Sequence, residues 1–187
     1  MFKKFIFFSF VFFNFGYLDL YSDDKKNIIE ELKKIDNFSF NFEQISNSKK
    51  ERGKCFLVFD NKIKCVYQGN YNKEILINKN NLMIKQKQYD KNYYYPISKS
   101  PFFRVLNKDK LIDLIQESRL SQNDEKLIII FKDKKDQEIK ILFNNSNFQL
   151  SGWEILDKFQ NKIYFSLNIQ SINDIYDPDL FKIPKAN

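Results

Sequence analysis

Histidine is absent from the 187 residues, and this absence removes most of the familiar catalytic arrangements. Without histidine the chain has no Ser-His-Asp triad, no Cys-His pair and no histidine-ligated metal site. Glycine is nearly as scarce, since only Gly53, Gly69 and Gly152 follow residue 22. No glycine-rich loop is therefore present to hold a phosphate group. The sequence predicts a protein that is not an enzyme and that uses neither a cofactor nor a metal ion.

Arginine is also rare, although the chain is basic. The formal net charge is +7, but only Arg52, Arg104 and Arg119 among the 31 basic residues are arginines. Phosphate and base recognition favours arginine because its guanidinium group forms paired hydrogen bonds. The lysines are scattered through turns and between acidic residues. This distribution indicates a solvated surface with weak attraction to acidic partners or anionic lipid headgroups, and it argues against nucleic-acid binding.

Long apolar runs are missing after residue 22, but one occurs at the N-terminus. Lys3 and Lys4 precede an apolar run over about 5–15, and the small Ser22 stands just before Asp23. This layout is typical of a secretory signal peptide, and the run is shorter than the roughly 20 residues of a membrane span. We expect residues 1–22 to be a signal peptide cleaved near Ser22, with one domain over 23–187. An uncleaved N-terminal anchor is the alternative.

Two periodicities follow one another along residues 23–187. Ile28, Ile29, Leu32 and Ile35 have helical spacing, and they predict a helix over about 25–36 that Asp23 or Asp24 caps. The pattern then changes to the alternation of strands, with a turn about every ten residues. Further strands are predicted over about 50–59, 62–68, 74–78, 82–87, 126–132, 137–144, 147–157 and 161–170. A short helical segment over 101–117 interrupts this series of antiparallel hairpins.

Cys55 and Cys65 flank a turn at residues 59–61. A three-residue loop there makes Val58 face Lys62 and Cys55 face Cys65. Opposed residues on antiparallel strands have Cα atoms about 4.5–5.5 Å apart, which is within disulfide reach. In an exported protein such a pair oxidises. Two reduced, small apolar residues on the core face are the alternative, and neither state is catalytic.

Several segments, taken in order along the chain, resemble the periplasmic outer-membrane lipoprotein carriers of the LolA type. They are FSFNFEQ (38–44), GKCFLV (53–58), KIKCVY (62–67), EILIN with LMI (74–84), SPFF (100–103), GWEI (152–155) and LF (180–181). No single one of these motifs is strong, but their collinear order covers essentially all of residues 23–187.

The resemblance implies an α+β fold, in which a large curved antiparallel sheet forms an incomplete (half) barrel covered by helices. It implies a monomeric periplasmic carrier whose hydrophobic cavity binds the acyl chains of lipoproteins. An inner-membrane ABC-type release complex would supply this cargo, and an outer-membrane lipoprotein receptor would accept it. The alternatives are a periplasmic binder of other lipids, a lipoprotein-sensing domain of the same fold, or a structural protein with a filled interior.

The resemblance also assigns residues to the acyl-chain cavity. If Cys55 and Cys65 share a face of the sheet, the apolar residues two positions away along these strands share it too, and in the family this face points inward. Ordinary core packing is the alternative for each residue, and Trp153 either lines the cavity or closes the end of the barrel. The predicted cavity residues are Leu57, Phe59, Ile63, Tyr67, Leu76, Ile84, Phe102, Phe103, Ile28 and Leu32.

One position departs from the family pattern. The second strand of the family commonly ends in Arg-Pro, and its arginine latches the helical lid by hydrogen bonds. Here the corresponding residues are Phe59 and Asp60. We therefore expect a purely hydrophobic lid contact through Phe59, with the disulfide holding the contact tight.

Overall fold

A single antiparallel sheet dominates the computed structural model, which describes residues 18–47, 49–69, 73–97, 101–132, 138–156 and 161–184 but not the side chains of residues 18–22, 101 and 102. The strands in these residues are β1 (Asn37–Ser46), β2 (Lys49–Val58), β3 (Lys62–Tyr67), β4 (Lys73–Asn78), β5 (Asn81–Gln86), β6 (Lys91–Pro96), β7 (Arg119–Gln122), β8 (Lys126–Lys132), β9 (Glu138–Asn144), β10 (Leu150–Leu156) and β11 (Lys162–Ile172). The helices are α1 (Leu18–Lys33) and α2 (Lys108–Glu117), with short 3₁₀ turns at Lys87–Tyr89, Pro101–Arg104 and Pro178–Phe181.

The sheet consists of two runs of hairpins joined through the first and the last strand. Its order is β6-β5-β4-β3-β2-β1-β11-β10-β9-β8-β7, so β1 pairs with β11 while β6 and β7 form the two edges. The sheet therefore does not close. No helix in the described residues is both long and apolar enough to cross a membrane.

The helices cover one face of the sheet, which we call the inner face. This face carries Phe38, Phe40 and Phe42 of β1, and the same buried cluster contains residues of α1, α2 and eight strands. A flat eleven-stranded sheet would be about 48 Å wide, whereas two helices of about 10 Å cover less than half of that width. The sheet must therefore curve around the helices, and the predicted incomplete barrel is confirmed.

The first helix differs from its prediction. It spans Leu18–Lys33 rather than 25–36, so Asp23 and Asp24 lie inside it and do not cap it. No proline or glycine separates Leu18 from Asp23, and carboxylates are favourable in the first turns of a helix. At the other end, the backbone N–H groups of Lys34 and Ile35 bond to carbonyls three residues back, which tightens the chain before β1 begins.

The C-terminal segment covers part of the other face of the sheet, which we call the outer face. Val58, Leu76 and Met83 are buried there beneath Phe181, whose carbonyl accepts a hydrogen bond of 3.0 Å from Asn78 Nδ2. Phe56 also packs on this cluster and contacts the ring of Phe181. Residues 55–59 are apolar at every position, and this C-terminal layer covers those that point to the outer face. Their burial on both faces is therefore explained by the protein itself, without a ligand.

The disulfide between Cys55 and Cys65 is present, and the predicted register is confirmed. Cys55 pairs with Cys65 and Val58 with Lys62 across the β2–β3 hairpin, and the two cysteine Cα atoms are 4.1 Å apart. Both cysteines are buried on the inner face. The crosslink therefore fixes the two strands directly beneath the helices.

We expect the double substitution Cys55→Ser/Cys65→Ser to lower the free energy of unfolding by ~2–3 kcal/mol, because a closed loop of this length restricts the unfolded chain by about that amount. Urea unfolding followed by circular dichroism measures the change. Adding a reductant to the wild-type protein is the control and should give the same loss. Equal midpoints for the oxidised and the serine protein would contradict the prediction.

Candidate functional site

Six of the ten predicted acyl-chain residues lie together in the buried cluster of the inner face. They are Ile28, Leu32, Leu57, Phe59, Ile63 and Tyr67. Phe103 is half-buried and packs against the same cluster. Ile84 also shares this face, because it pairs with Ile75, which in turn pairs with Cys65. The side chain of Phe102 lies outside the described residues.

Leu76 is the exception, because the register places it on the outer face. It pairs with Lys64 and Met83 and is buried with Phe181, away from the helices. Its prediction as a cavity residue is therefore wrong. Residues 75–77 are all apolar, so alternation within β4 does not show which of them point inward. Ile75 and Ile77 occupy the inner positions instead.

The helices fill the inner face rather than leaving an open cavity. Leu106, Leu111 and Ile115 are fully buried between the lid and the sheet, and Ile28 of α1 is equally enclosed. We call α1, α2 and residues 103–107, which lead into α2, the lid. Because its side chains occupy the inner face beneath the helices, an acyl chain can reach that part of the face only by displacing them.

The lid does not cover the inner face completely. Burial falls along the sheet towards β6: Ile63 and Cys65 of β3 are buried, Ile84 of β5 is half-buried, and Tyr93 and Tyr95 of β6 are 39% and 50% exposed. These residues share one face through consecutive strand pairs. The inner face therefore has an apolar opening beside β5 and β6.

Two lysine side chains tie the lid helices together side by side. Near one end, Lys25 Nζ of α1 donates to the carbonyls of Gln116 and Ser118, at 3.0 and 2.5 Å, where a positive charge complements the C-terminus of α2. At the other end, Lys108 Nζ at the start of α2 lies 2.6 Å from Oδ1 of Asp36, three residues after the end of α1. The helices therefore run antiparallel and are tied together as one unit.

The β2–β3 turn connects this unit to the sheet. The Asn61 N–H donates to the Leu106 carbonyl at 3.2 Å, and Asp60 forms an isolated bridge with Asn107. The Phe59 ring lies 5.8 Å from Lys108 Nζ. The expectation of a purely hydrophobic lid contact is therefore wrong, because backbone hydrogen bonds supply polar contacts where the family uses its arginine.

A row of aromatic rings crosses the inner face. Trp153 stacks on Phe165 with ring centroids 4.0 Å apart, and Phe165 stacks on Phe42 at 4.8 Å. Tyr67 meets Phe42 edge to face at 4.7 Å. Gly53 lies between Phe42 and Tyr67 in the strand register, and its missing side chain lets these two rings touch. Trp153 therefore lines the inner face.

A polar rim follows the aromatic row. Lys73 Nζ lies 3.7 Å from the centroid of the Tyr67 ring and 3.0 Å from Glu51 Oε2, and the Tyr67 hydroxyl donates to Gln44 Oε1 at 3.0 Å. Burial, together with the charge of Glu51, raises the pKa of Tyr67. Burial opposes ionisation of Glu51, but hydrogen bonds and charges from Lys73 and Lys49 outweigh it and lower the pKa of Glu51. The rim is therefore a network of ionised and hydrogen-bonded groups.

Comparison with known proteins agrees with this architecture. The sequence matches the family of the outer membrane lipoprotein carrier protein LolA over residues 33–184, which is most of the chain. The chain belongs to the LolA family. The matched range begins at the last helical residue of α1 and ends after the C-terminal layer, so it includes the whole sheet. A search among proteins of curated function finds no significant match.

Solved structures resemble the LolA-type fold of this chain at low sequence identity. A conserved protein from Thermus thermophilus aligns with a TM-score of 0.53 at 6% identity, covering 86% of this chain and 94% of its own. A LolA superfamily protein from Nitrosomonas europaea gives 0.43 at 10% identity over 84% and 97%. LprF from Mycobacterium bovis gives 0.45 at 12% identity over 86% and 97%.

Proposed function

We propose that this protein binds the acyl chains of lipoproteins on its inner face and carries them through the periplasm from the inner to the outer membrane. The observation that carries the proposal is the apolar inner face that the lid covers only in part. Membership of the LolA family supports it. If the inner face served only to stabilise the fold, full burial would make the fold more stable, because each Å² of apolar surface left exposed costs about 25 cal/mol.

The lid provides the means of reversible binding. Burying an acyl chain is favourable by about 0.8 kcal/mol for each CH2 group, so a long chain supplies enough energy to displace lid side chains. The displaced residues, such as Leu111 and Ile115, return to the inner face when the chain leaves. Chain and lid therefore compete for the same surface, and this competition prevents irreversible capture.

The location and the partners follow from the same proposal. We propose cleavage near Ser22, after which Asp23 and Asp24 would begin α1 and its lid residues would remain. Cargo would come from an inner-membrane ABC-type release complex and would pass to an outer-membrane receptor, with no catalytic step in this chain. The disulfide within the β2–β3 hairpin supports an oxidising compartment such as the periplasm.

Native mass spectrometry of the protein purified from periplasm tests the function. We expect a complex with an acylated polypeptide, together with micromolar or tighter binding of a fluorescent fatty acid. Ile84→Glu places a charge on the open part of the inner face and should weaken fatty-acid binding at least tenfold. Val66→Glu is the matched control, because Val66 is exposed on the outer face of β3.

Three outcomes distinguish the proposal from its alternatives. Copurification of a phospholipid without a polypeptide would show that the protein binds other lipids rather than lipoproteins. A protein that binds no fatty acid and copurifies with none would identify a structural role with a filled interior. Equal losses in the two glutamate variants would show that the probe does not occupy the inner face.

A further inference from the structure

The edge strand β6 presents an open side to solvent. It pairs only with β5 within the described residues, and all six of its residues, Lys91–Pro96, are exposed. An edge strand carries a row of backbone N–H and C=O groups without partners in its own sheet, and this row is complementary to another extended chain. The opposite edge, β7, has only four residues, of which the middle two are half-buried.

The side chains around β6 favour association with a polypeptide. Tyr93, Tyr94 and Tyr95 follow one another in the strand, and Tyr89 in the preceding turn is 57% exposed. Exposed tyrosines are typical of protein-binding surfaces, because they bury a large ring and still form a hydrogen bond. Their position on both sides of the strand places rings on each side of an added chain.

The charges near β6 indicate the sign of such a chain. Lys85, Lys87 and Lys91 belong to the β5–β6 hairpin, where Asp90 is the acidic residue. Lys87 also lies 3.9 Å from Glu74 of β4. The hairpin therefore keeps a positive balance at its edge, which attracts an acidic segment. A second copy of this chain is disfavoured, because each copy carries a net charge of +7.

A pocket at one end of β6 offers a place for a side chain of that segment. It measures about 480 Å3 and straddles the edge of the sheet. Its lining residues are Asn81, Leu82, Tyr94, Tyr95, Pro96, Ile183 and Pro184. A chain paired with β6 would pass this pocket, because Tyr94–Pro96 form both the strand and the pocket wall.

We propose that β6 binds an extended acidic polypeptide segment as an additional antiparallel or parallel strand. This interaction goes beyond the binding of acyl chains, because it uses the backbone edge of β6 rather than the inner face, although Tyr93 and Tyr95 border both. The unpaired backbone selects an extended polypeptide, the lysines select its charge, and the tyrosines and the pocket contribute apolar contact. A partner therefore needs no acyl chain in order to bind at β6.

The experiment uses the full mature chain and a fluorescein-labelled peptide of alternating Asp and Val as the probe. We expect saturable binding by fluorescence anisotropy at 150 mM salt, and slower hydrogen exchange at the amides of residues 91–95. Lys85→Glu/Lys91→Glu should weaken binding at least tenfold. Lys54→Glu/Lys162→Glu is the matched control and should change it less than twofold, since both lysines are exposed on other strands.

A second peptide, in which proline replaces each valine, tests the role of backbone pairing. Its prolines lack an N–H group and fix φ at about −65°, so only its aspartates can donate, and it should bind at least tenfold more weakly. Equal affinity of the two peptides, equal losses in the two double variants, or unchanged exchange at residues 91–95 would each overturn the proposal. A dimer of the unliganded protein with slow exchange at these amides would also overturn it, because a second copy would be the occupant. Fatty-acid binding by the same sample remains a separate readout.

Discussion

Gly53→Ala is expected to lower the free energy of unfolding by about 3 kcal/mol, the upper end of the usual cost of overpacking a core. A Cβ atom at Gly53 would lie 2.3 Å from the Val66 carbonyl oxygen and 2.6 Å from Phe42 Cε1. The carbonyl belongs to the neighbouring strand and cannot rotate away, so β2 and β3 must separate. Thermal unfolding should shift down by roughly 6–12 °C for a domain of this size.

A double substitution separates the two clashes at Gly53. In the double variant Gly53→Ala/Phe42→Leu, the ring contact is gone but the Val66 carbonyl remains. This variant should therefore recover less than half of the stability that Gly53→Ala loses. Lys54→Ala, at the next and exposed position of β2, is the control for a change in the same strand. Full recovery in the double variant would show that the aromatic row, and not the approach of the strands, requires a glycine.

Leu111→Ala is expected to lower the free energy of unfolding by about 2–5 kcal/mol, because it leaves a cavity beneath α2. Leu111 is fully buried between the lid and the sheet. Under the proposed function, the same change should tighten fatty-acid binding about tenfold. Leu111 makes more contacts in the closed lid than in the displaced lid, so its loss weakens the state that competes with the fatty acid. Calorimetry measures the stability, and fluorescence titration measures the affinity.

Asp113→Ala is the matched control for the lid, because Asp113 lies on the exposed side of α2. It should leave both quantities nearly unchanged. Weaker fatty-acid binding by Leu111→Ala would mean that Leu111 contacts the chain directly. That result would contradict competition between lid and cargo.

Strands in the interior of the sheet were predicted well from the sequence. The β2–β3 hairpin and its cysteine register were predicted from the turn at residues 59–61, and the strand at 126–132 has the predicted bounds. Residues 55–59 and 127–131 are apolar at nearly every position, so it was the turns beside them and their enrichment in β-branched and aromatic residues that marked them as strands. The segments missed as strands are β6 and β7, the two edges. One side of an edge strand faces water, so its sequence carries a weaker pattern of burial.

The candidate site was predictable only where the alternation of side chains along a strand decides which face of the sheet a residue lies on. Leu57, Ile63 and Tyr67 share the inner face because they alternate with polar residues or pair across a known register. The contacts of Lys25 and Lys108 that tie the lid together join positions up to 93 residues apart, and no local pattern encodes them. The backbone bridge at Asp60 was missed for the same reason, since hydrogen bonds of the main chain leave no signature in side-chain chemistry.

The pairing of the first strand with the last determines when the molecule can finish folding. Phe38 of β1 lies opposite Ile172 of β11, so the central seam of the sheet joins two segments made at opposite ends of synthesis. Until β11 has been made, β1 can pair only with β2, and contacts between segments so far apart in sequence slow folding. The hairpins from β2 to β6 pair only with strands next to them in sequence, whereas the β1–β11 seam can form only after β11 has been made.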